Sequence, residues 1–471
     1  MLDRRTFLAS SAAAALPAPI AAAPATAFRP EHFGARGDGK TNDTAAFAAL
    51  GEAINRAGGG TIALTRGRTY VVGAQRQGGG GKYGWNPDPV LELRRLNQPL
   101  LILGNGARLI GQPGLRFGTF DPNGGEPVHR PMPNFRREEL ASPYKAMIWI
   151  EQCSAPIEIR DLELDGNVGA LRIGGKYGDK GWQIWGDGLF LRNNRGSETI
   201  TNVHTHHHPR DGVQINGDDA RPARSRFSRL IARSNGRQGV SIVGGRGYDF
   251  ADCEFSQTGR AGLASGPGAG VDIEAEGKKV VRDLSFTRCR FVDNRGCGMV
   301  ADSGDSADVR FIDCLFVGTT NWSAWPNKPD FQFDGCTFVG AVVHAFAEPL
   351  AASRATRFTN CRFTDNPARS PTRQVYVASG PIVNLAKSDN VLFDRCQFDA
   401  VANGILPWSW KAVYRDCTMR QRSPKTAMTK GKYLGTSSIS GPVDLHGSMI
   451  VGSLTVNGRA IPRGPVGVQP W

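Results

Sequence analysis

An acidic run on a basic protein is the first feature of this sequence that could do chemistry. Residues 270–277 read Gly-Val-Asp-Ile-Glu-Ala-Glu-Gly, although the 471-residue chain carries a net charge of +14. Along an extended strand, alternation turns Asp272, Glu274 and Glu276 to one face. Carboxylates this close repel one another unless a bound Ca²⁺, a proton shared between two acids or an arginine compensates them. The run therefore indicates a metal site, an acid–base pair or a solvent-exposed surface with several salt bridges.

A strand pattern that recurs five times places further polar residues beside the acidic run. The copies share a glycine at the second position followed by alternating apolar residues, and they span 187–191, 211–215, 238–242, 269–273 and 297–301. Read across the copies, the outward positions form two columns. These are Gln214, Ser241, Asp272 and Val300 in one column, and Asn216, Val243, Glu274 and Asp302 in the other. Glu274 and Asp302 are therefore predicted to be neighbours.

The residue types around this strand fit two reactions on an acidic sugar. β-Elimination of a uronate needs Ca²⁺ or another cation to neutralise the substrate carboxylate, and a base such as Arg, Lys or His to take the C5 proton. Glycoside hydrolysis needs two carboxylates, one of them protonated. The candidate catalytic residues are Asp272, Glu274, Asp302, Asp211, Arg237, Arg295 and His208. Ca²⁺ is the only cofactor expected, and its candidate ligands are Asp272, Glu274 and Asp302.

A run of histidines forms a second polar group. His204 is followed by three consecutive histidines, His206 to His208, and then by Arg210 and Asp211. Alternate histidines on a strand could reach one point, which would allow metal binding or proton transfer. The alternative is that consecutive histidines are simply exposed in a turn.

Two long loops and several tryptophans indicate a binding groove. Residues 74–94 and 115–145 are too rich in Gly, Pro and Arg to form regular repeats, and long loops of this kind usually line a groove. Tryptophans occur in close pairs, and their faces stack well on sugar rings, although packing beneath a turn is equally common. The candidate substrate-binding residues are Trp85, Trp182, Trp185, Arg210, Gln214 and Glu276.

A sevenfold repeat between Phe250 and Met419 must position these residues. Each copy reads aromatic-x-x-Cys-x-large apolar, and successive cysteines lie 36, 25, 22, 25, 35 and 21 residues apart. A period in the twenties with β-prone residues is typical of a solenoid. The same frame runs back to Ile159 with Leu or Val in place of Cys. Stacking would place the cysteines about 4.8 Å apart in a buried ladder. A disulfide framework or metal site is disfavoured, because nine cysteines are an odd number and no CxxC or CxxH pair occurs.

The segment Phe33-Gly-Ala-Arg-Gly-Asp-Gly-Lys-Thr-Asn-Asp-Thr44 resembles the amino-terminal cap of pectate-lyase-like proteins. The resemblance implies an all-β solenoid, a single-stranded right-handed parallel β-helix whose first coil is closed by a helix over residues 45–57, with Asp43 or Thr44 as its cap. The polygalacturonase branch of this superfamily carries acids where Asp187 and Asp211 stand. Gln238 replaces its histidine and its Arg-x-Lys motif is absent, which weakens a hydrolase assignment.

The first 27 residues are predicted to be an export signal. Asp3-Arg-Arg-Thr-Phe-Leu8 precedes an alanine-rich stretch that ends in Ala25-Thr-Ala27, which is typical of the twin-arginine pathway, with an ordinary secretory signal as the alternative. Residues 28–471 are predicted to form one domain, with the cap over about 28–72, coils over about 100–420 and closing strands over about 430–471. We therefore expect a periplasmic or secreted protein.

The net charge and the lack of recognition motifs restrict the classes of partner that we expect for this protein. The net charge of +14 favours an acidic ligand, whereas dispersed basic residues without a recognition motif argue against nucleic acid, and no apolar run after the signal could span a membrane. The sequence predicts an exported monomer or homotrimer that cleaves a uronate-containing polysaccharide by β-elimination. A glycoside hydrolase, a C5-epimerase and a non-catalytic carbohydrate-binding protein are the alternatives.

Overall fold

The computed structural model describes residues 27–78, 84–121, 123, 125–127, 140–175, 184–220, 222–377, 380–385 and 387–467. In this part of the chain β-strands dominate, with one α-helix, Thr44–Ala57, and three short 3-10 helices, Pro30–Phe33, Val168–Ala170 and Pro367–Arg369. None of the described helices is long and apolar enough to cross a membrane. The predicted export signal lies outside the described residues except for Ala27.

Thirty-nine of the strands in the described residues form one continuous sheet, in which neighbouring coils pair in parallel. One side, the front sheet, consists of Leu91–Arg94, Ala146–Glu151, Asp187–Arg192, Asp211–Asn216, the first residues of Gln238–Ala251, Val271–Ile273, Met299–Ala301, Ala324–Pro326, Val342–Val343 and Val383–Asn384. The predicted all-β solenoid is confirmed.

The remaining strands form the bent sheet, so named because its strands turn a corner. Its members are Asp38–Asn42, Gly60–Ala63, Thr69–Val72, Leu100–Gly111, Ile157–Asp165, Glu198–His206, Ser225–Ser228, Ile231–Arg233, the rest of Gln238–Ala251, Glu254–Ser256, Val280–Thr287, Arg290–Val292, Asp305–Ser306, Val309–Ile312, Leu315–Val317, Phe331–Asp334, Thr337–Val339, Arg357–Thr359, Arg362–Thr364, Leu392–Asp394, Gln397–Ala400, Ser409–Arg415, Thr418–Gln421, Ala427–Leu434, Thr436–Ser440, Val443–Asp444, Met449–Ile450, Ser453–Val456, Arg459–Ile461 and Gly464–Pro465. The last strands fold back antiparallel and close the carboxyl end.

The predicted ladder fills the core of this sheet. From Phe227 to Tyr414 the first aromatic ring of each repeat stacks on that of the next coil, with centroids 4.5–5.3 Å apart. All nine cysteines are buried and unbridged. The ladder is therefore apolar packing without disulfides, as the repeat predicts.

The corner within each repeat explains why the fourth residue of the repeat is cysteine. The residue before the cysteine adopts a left-handed backbone conformation, with φ of 56° at Asp252, 53° at Asn360 and 65° at Gly335. Asp, Asn and Gly tolerate that conformation best. Each repeat thiol then lies 3.3–3.6 Å from a main-chain carbonyl of the preceding coil, as Cys314 does from Phe286. A small side chain with a weak donor suits both requirements.

The amino-terminal helix closes the first coil as predicted. Phe47, Leu50 and Ile54 are fully buried against the core. The capping prediction needs correction, because the Asp43 carboxylate accepts hydrogen bonds from the amides of Arg36 and Gly37 and not from the helix. Asp43 thus fixes the preceding loop to the start of the helix.

A separate five-stranded sheet replaces much of the predicted loop structure. It consists of Gln75–Gln77, Trp85–Pro87, Arg116–Thr119, Leu140–Ala141 and Arg172–Gly174. Leu91–Arg94, which lies in a predicted loop, is a strand of the front sheet. Alternation in Leu91-Glu-Leu-Arg94 is the strand signal that the Gly-rich and Pro-rich surroundings hid.

Candidate functional site

One outward column of the front sheet runs through the coils in register. Trp149 pairs with Phe190, Phe190 with Gln214, Gln214 with Ser241, Ser241 with Asp272, Asp272 with Val300, and Val300 with Trp325. The predicted order Gln214, Ser241, Asp272, Val300 is thus observed, and the structure adds aromatic residues at both ends. The front column, as we call these seven residues, is a polar centre between aromatic ends.

The second predicted column is only partly correct. An irregularity after Ile215 pairs Asn216 with Gly244 instead of Val243. The front strand ends at Ile273, so Glu274 follows it, with its amide bonded to the Ile242 carbonyl. A strand irregularity of this kind shifts the register without any sequence mark that alternation would reveal.

Glu274 and Asp302 nevertheless interact across adjacent coils. Burial and the Glu274 carboxylate raise the pKa of Asp302 above its ordinary value, while Lys328 and His344 oppose this shift. Ser303, beside Asp302, donates a hydrogen bond to Glu274 Oε1. Glu274, Lys328 and His344 therefore all act electrostatically on Asp302, which follows the front strand Met299–Ala301.

Asp272 is the most strongly perturbed acid of the front column. Its side chain is buried, with 4% of the residue exposed, and Gln238 Nε2 donates a hydrogen bond of 2.5 Å to its Oδ2. Burial, followed by the nearby Glu274 carboxylate, raises the pKa of Asp272 to about 8. Asp272 is therefore protonated at neutral pH and can act as a proton donor.

A buried ionic row lies at the start of the same strands. Arg210 Nη1 is 3.1 Å from Asp187 Oδ2 and 3.1 Å from Gln214 Oε1, while Arg237 Nη1 is 3.5 Å from Asp211 Oδ2. Burial raises the pKa of Asp187, and the positive charge of Arg210 counteracts it. Arg237 is therefore almost fully buried and paired with a carboxylate, a position that suits a charge partner for the row.

One of the predicted tryptophan pairs and a histidine that the sequence did not predict line the carboxyl end of the front column. The rings of Trp322 and Trp325 are 5.0 Å apart, and His344 lies 5.2 Å from Trp325. The Trp322 and Trp325 pair was visible in the sequence, but their neighbour His344 was not, because the spacing between these coils is irregular. His344 is the histidine that accompanies the acids.

Two predicted residues pack inside the protein against residues outside the front column. Trp85 is 2% exposed and packs on Phe120 with ring centroids 5.6 Å apart, so it cannot stack on a sugar. His208 is fully buried, and its ring nitrogens meet the Tyr144 hydroxyl and the Leu164 carbonyl, each at 3.1 Å. Burial lowers the pKa of His208 to about 3, so a catalytic role for it is corrected to a structural one.

The other predicted substrate contacts have mixed positions. Trp185 is half-buried, its ring lies 5.1 Å from that of Trp149, and Lys145 Nζ lies 5.2 Å above it. Glu276 is exposed beyond the end of its strand, and Arg295 is an exposed residue of a turn. Trp182 lies outside the described residues.

Metal ligands converge at a different place from the one predicted. Among the described residues, three ligand atoms within 4.8 Å of one another come from Asp165, His206 and His207. Asp272, Glu274 and Asp302 do not form such a group. Ca²⁺ binding by these three acids therefore stays a prediction, and it would need further oxygen ligands, because Ca²⁺ takes six to eight.

Known proteins share the fold. Residues 146–338 match the family model for the right-handed beta helix region. The A-module of mannuronan C-5 epimerase AlgE6 from Azotobacter vinelandii is similar with a TM-score of 0.51 and 14% identity, covering 94% of this chain and 100% of the module. An N-terminal fragment of gene product 12 from bacteriophage phi29 is similar with a TM-score of 0.53 and 12% identity, covering 93% of this chain and 74% of the fragment. No curated protein matches the sequence. The chain is a right-handed parallel β-helix protein.

Proposed function

We propose that the chain is an enzyme that acts on an acidic polysaccharide bound along the front column, across successive coils. The observation that carries this proposal is the arrangement of the column, in which Asp272 lies between two half-buried tryptophans, Trp325 at one end and Trp185, which covers the buried Trp149, at the other. Five strand steps separate Phe190 from Trp325, or about 24 Å at about 4.8 Å per step. Aromatic rings at both ends suit stacking on sugar rings of an oligosaccharide.

Charge supports an acidic substrate. The chain carries a net charge of +14. Lys145 lies over the Trp149 and Trp185 rings, and Lys328 and His344 lie near Asp302. Because Asp272 is neutral at pH 7, it does not repel a uronate carboxylate and can donate a hydrogen bond to it.

The preferred reaction is β-elimination. The Glu274 carboxylate, which lies beside Asp272, takes the C5 proton of the uronate, the electron pair forms the C4–C5 double bond, and the C4–O bond breaks as Asp272 protonates the leaving oxygen. The A. vinelandii epimerase named above acts on mannuronan, a polymer of this chemical class, through the same fold. Fold similarity does not define a reaction. Epimerisation, which shares proton removal at C5, therefore remains one of the reactions to test.

Hydrolysis is the second candidate, and the pairing of Asp272 with Glu274 favours it. A carboxyl group held protonated beside a second carboxylate is the arrangement that glycosidases use. In that reaction Asp272 protonates the glycosidic oxygen, and Glu274 activates water or attacks the sugar.

A panel of uronate polymers tests the proposal. Elimination produces ultraviolet absorbance from the unsaturated uronate, hydrolysis produces reducing ends without that absorbance, and epimerisation changes only the sugar's NMR signals. Parallel assays with a chelator report on any requirement for Ca²⁺. If a polymer stays bound to the protein without being changed, the protein has a carbohydrate-binding role and not an enzymatic one. If no polymer of the panel is bound or changed, both proposals are refuted.

A further inference from the structure

Three side chains meet where two neighbouring strands of the bent sheet end. Asp165 ends the strand Ile157–Asp165 and pairs with His206, which ends Glu198–His206. His206 Nδ1 lies 2.6 Å from His207 Nδ1 and 3.6 Å from Asp165 Oδ1. Two imidazole nitrogens and a carboxylate oxygen therefore face one point, on a different strand from the front column.

The hydrogen bonds of the cluster orient these atoms for a ligand. Glu163 Oε1 lies 3.1 Å from His206 Nε2, and a carboxylate there can only accept a hydrogen bond. It therefore favours the neutral tautomer with the proton on Nε2, in which the lone pair of His206 is on Nδ1 and faces the cluster. Asp165 is held by the amide of Asn167 at 2.8 Å and by Arg108. A carboxylate on the far nitrogen of a ligating histidine is the usual support for a metal-bound imidazole.

The main chain of the cluster is fixed by both neighbouring coils. The carbonyls of His206 and His207 accept hydrogen bonds from the amides of Gly166 and Val168, at 2.8 and 3.0 Å, and the His207 amide donates to the Arg233 carbonyl at 3.3 Å. His207 has a φ of 54°, which ends the strand and turns its ring towards His206. The backbone that carries the two histidines is thus fixed, and only their side chains need to adjust to a ligand.

We propose that Asp165, His206 and His207 bind a divalent transition-metal ion such as Zn²⁺ or Co²⁺. Two nitrogens and one oxygen suit these ions, whereas Ca²⁺ takes six to eight oxygens. Tetrahedral bonds of about 2.0–2.1 Å require the two nitrogens to move from 2.6 Å to about 3.3 Å, which side-chain rotation supplies. Three protein ligands leave the fourth position to water.

Nearby charged side chains affect how tightly the site binds a cation. Arg108 and Arg233 oppose a cation, and Asp165 and Glu163 offset them. Arg108 contacts both acids, and Arg233 Nε is directed to Gln257 Oε1 at 2.9 Å. The ion joins two successive coils and binds only the folded chain, so it stabilises that region.

Cobalt binding to untagged protein, stripped of metal with a chelator, tests the proposal. Equilibrium dialysis is expected to give one bound Co²⁺ per chain, with visible absorption bands of a four-coordinate ion. His207→Asn keeps a residue that tolerates positive φ and is expected to weaken binding by about 10- to 100-fold. The control is His446→Gln, an exposed histidine elsewhere on the chain, which is expected to bind as the wild type does.

Two results would overturn the site. One is wild-type protein that takes up no Co²⁺; the other is His207→Asn with unchanged affinity and spectrum. If His207→Asn does not fold, the melting temperature of the wild-type protein tests the site instead. Co²⁺ is expected to raise that temperature, whereas Ca²⁺ at the same concentration is expected to leave it unchanged. Equal effects of both ions, or none, contradict the proposal.

Discussion

Asp272 accepts a 2.5 Å hydrogen bond from Gln238, one coil away, and stays protonated at neutral pH in the middle of the front column. The same carboxyl lies between Ser241 and Val300 of the neighbouring coils. A proton donor is thus fixed where a sugar chain would cross the sheet.

Replacing Asp272 by Asn is expected to reduce turnover by about 10²- to 10⁴-fold, because an amide keeps the shape but cannot release a proton. Initial rates on the polymer cleaved by the wild type measure this. Asp313→Asn, an exposed corner residue with a φ of 52°, is the matched control and is expected to retain full activity. Full activity of Asp272→Asn would remove Asp272 from the mechanism.

Stability should depend on pH through the same group. The unfolded chain releases the Asp272 proton near pH 3.8, whereas the folded chain holds it up to about 8, so folding becomes less favourable as pH rises through this window. The melting temperature of the wild type is expected to fall between these pH values. The melting temperature of Asp272→Asn is expected to fall less over the same pH range. Identical pH profiles of the melting temperature for the variant and the wild type would contradict the raised pKa.

Gln238 is expected to tune that pKa. Its amide lowers the pKa of Asp272 against the effect of burial, so Gln238→Met is expected to raise it further and to move the alkaline limb of kcat/KM to higher pH. Profiles of both proteins over the same buffers measure the shift. A change in rate at every pH without movement of the limb would indicate a packing effect only.

The sequence predicted the coils better than the site because the repeat is periodic and the site is not. Phe250-x-x-Cys253-x-Phe255 recurs at a readable spacing, and stacking brings equivalent residues together. That logic placed Asp272 beside Ser241 correctly. Each coil contributes a local pattern, so register follows wherever the pattern is unbroken.

The remaining site residues depend on contacts that no local pattern encodes. The irregularity after Ile215 displaced the second column, and Trp85 is buried by a sheet formed from distant segments. Burial of His208 beneath Tyr144 and the approach of His344 to Trp325 depend on how turns pack together. Side-chain type alone suggested function for Trp85 and His208, and three-dimensional packing decided against it.

The cysteine ladder gives a prediction about stability. Cys336 is fully buried, and its thiol lies 3.4 Å from the Phe311 carbonyl. Cys336→Ala removes that contact and leaves a small cavity, so it is expected to lower the free energy of unfolding by about 1–3 kcal/mol. Urea unfolding measures the loss. A reducing agent is expected to leave the wild-type transition unchanged, because the nine cysteines are unbridged; a reductant-sensitive transition would contradict the ladder.

Trp325 should matter only for substrates long enough to reach it. Two strand steps separate it from Asp272, or about 10 Å at about 4.8 Å per step. Loss of one stacking contact of about 1 kcal/mol in Trp325→Ala is expected to raise KM about fivefold for long oligosaccharides and not for the shortest cleaved ones. Trp410→Ala, an exposed tryptophan on the bent sheet, is expected to leave KM unchanged at every length. Because both variants lose an indole, a length-dependent effect confined to Trp325 locates the sugar chain on the front column, and an effect independent of length would place it elsewhere.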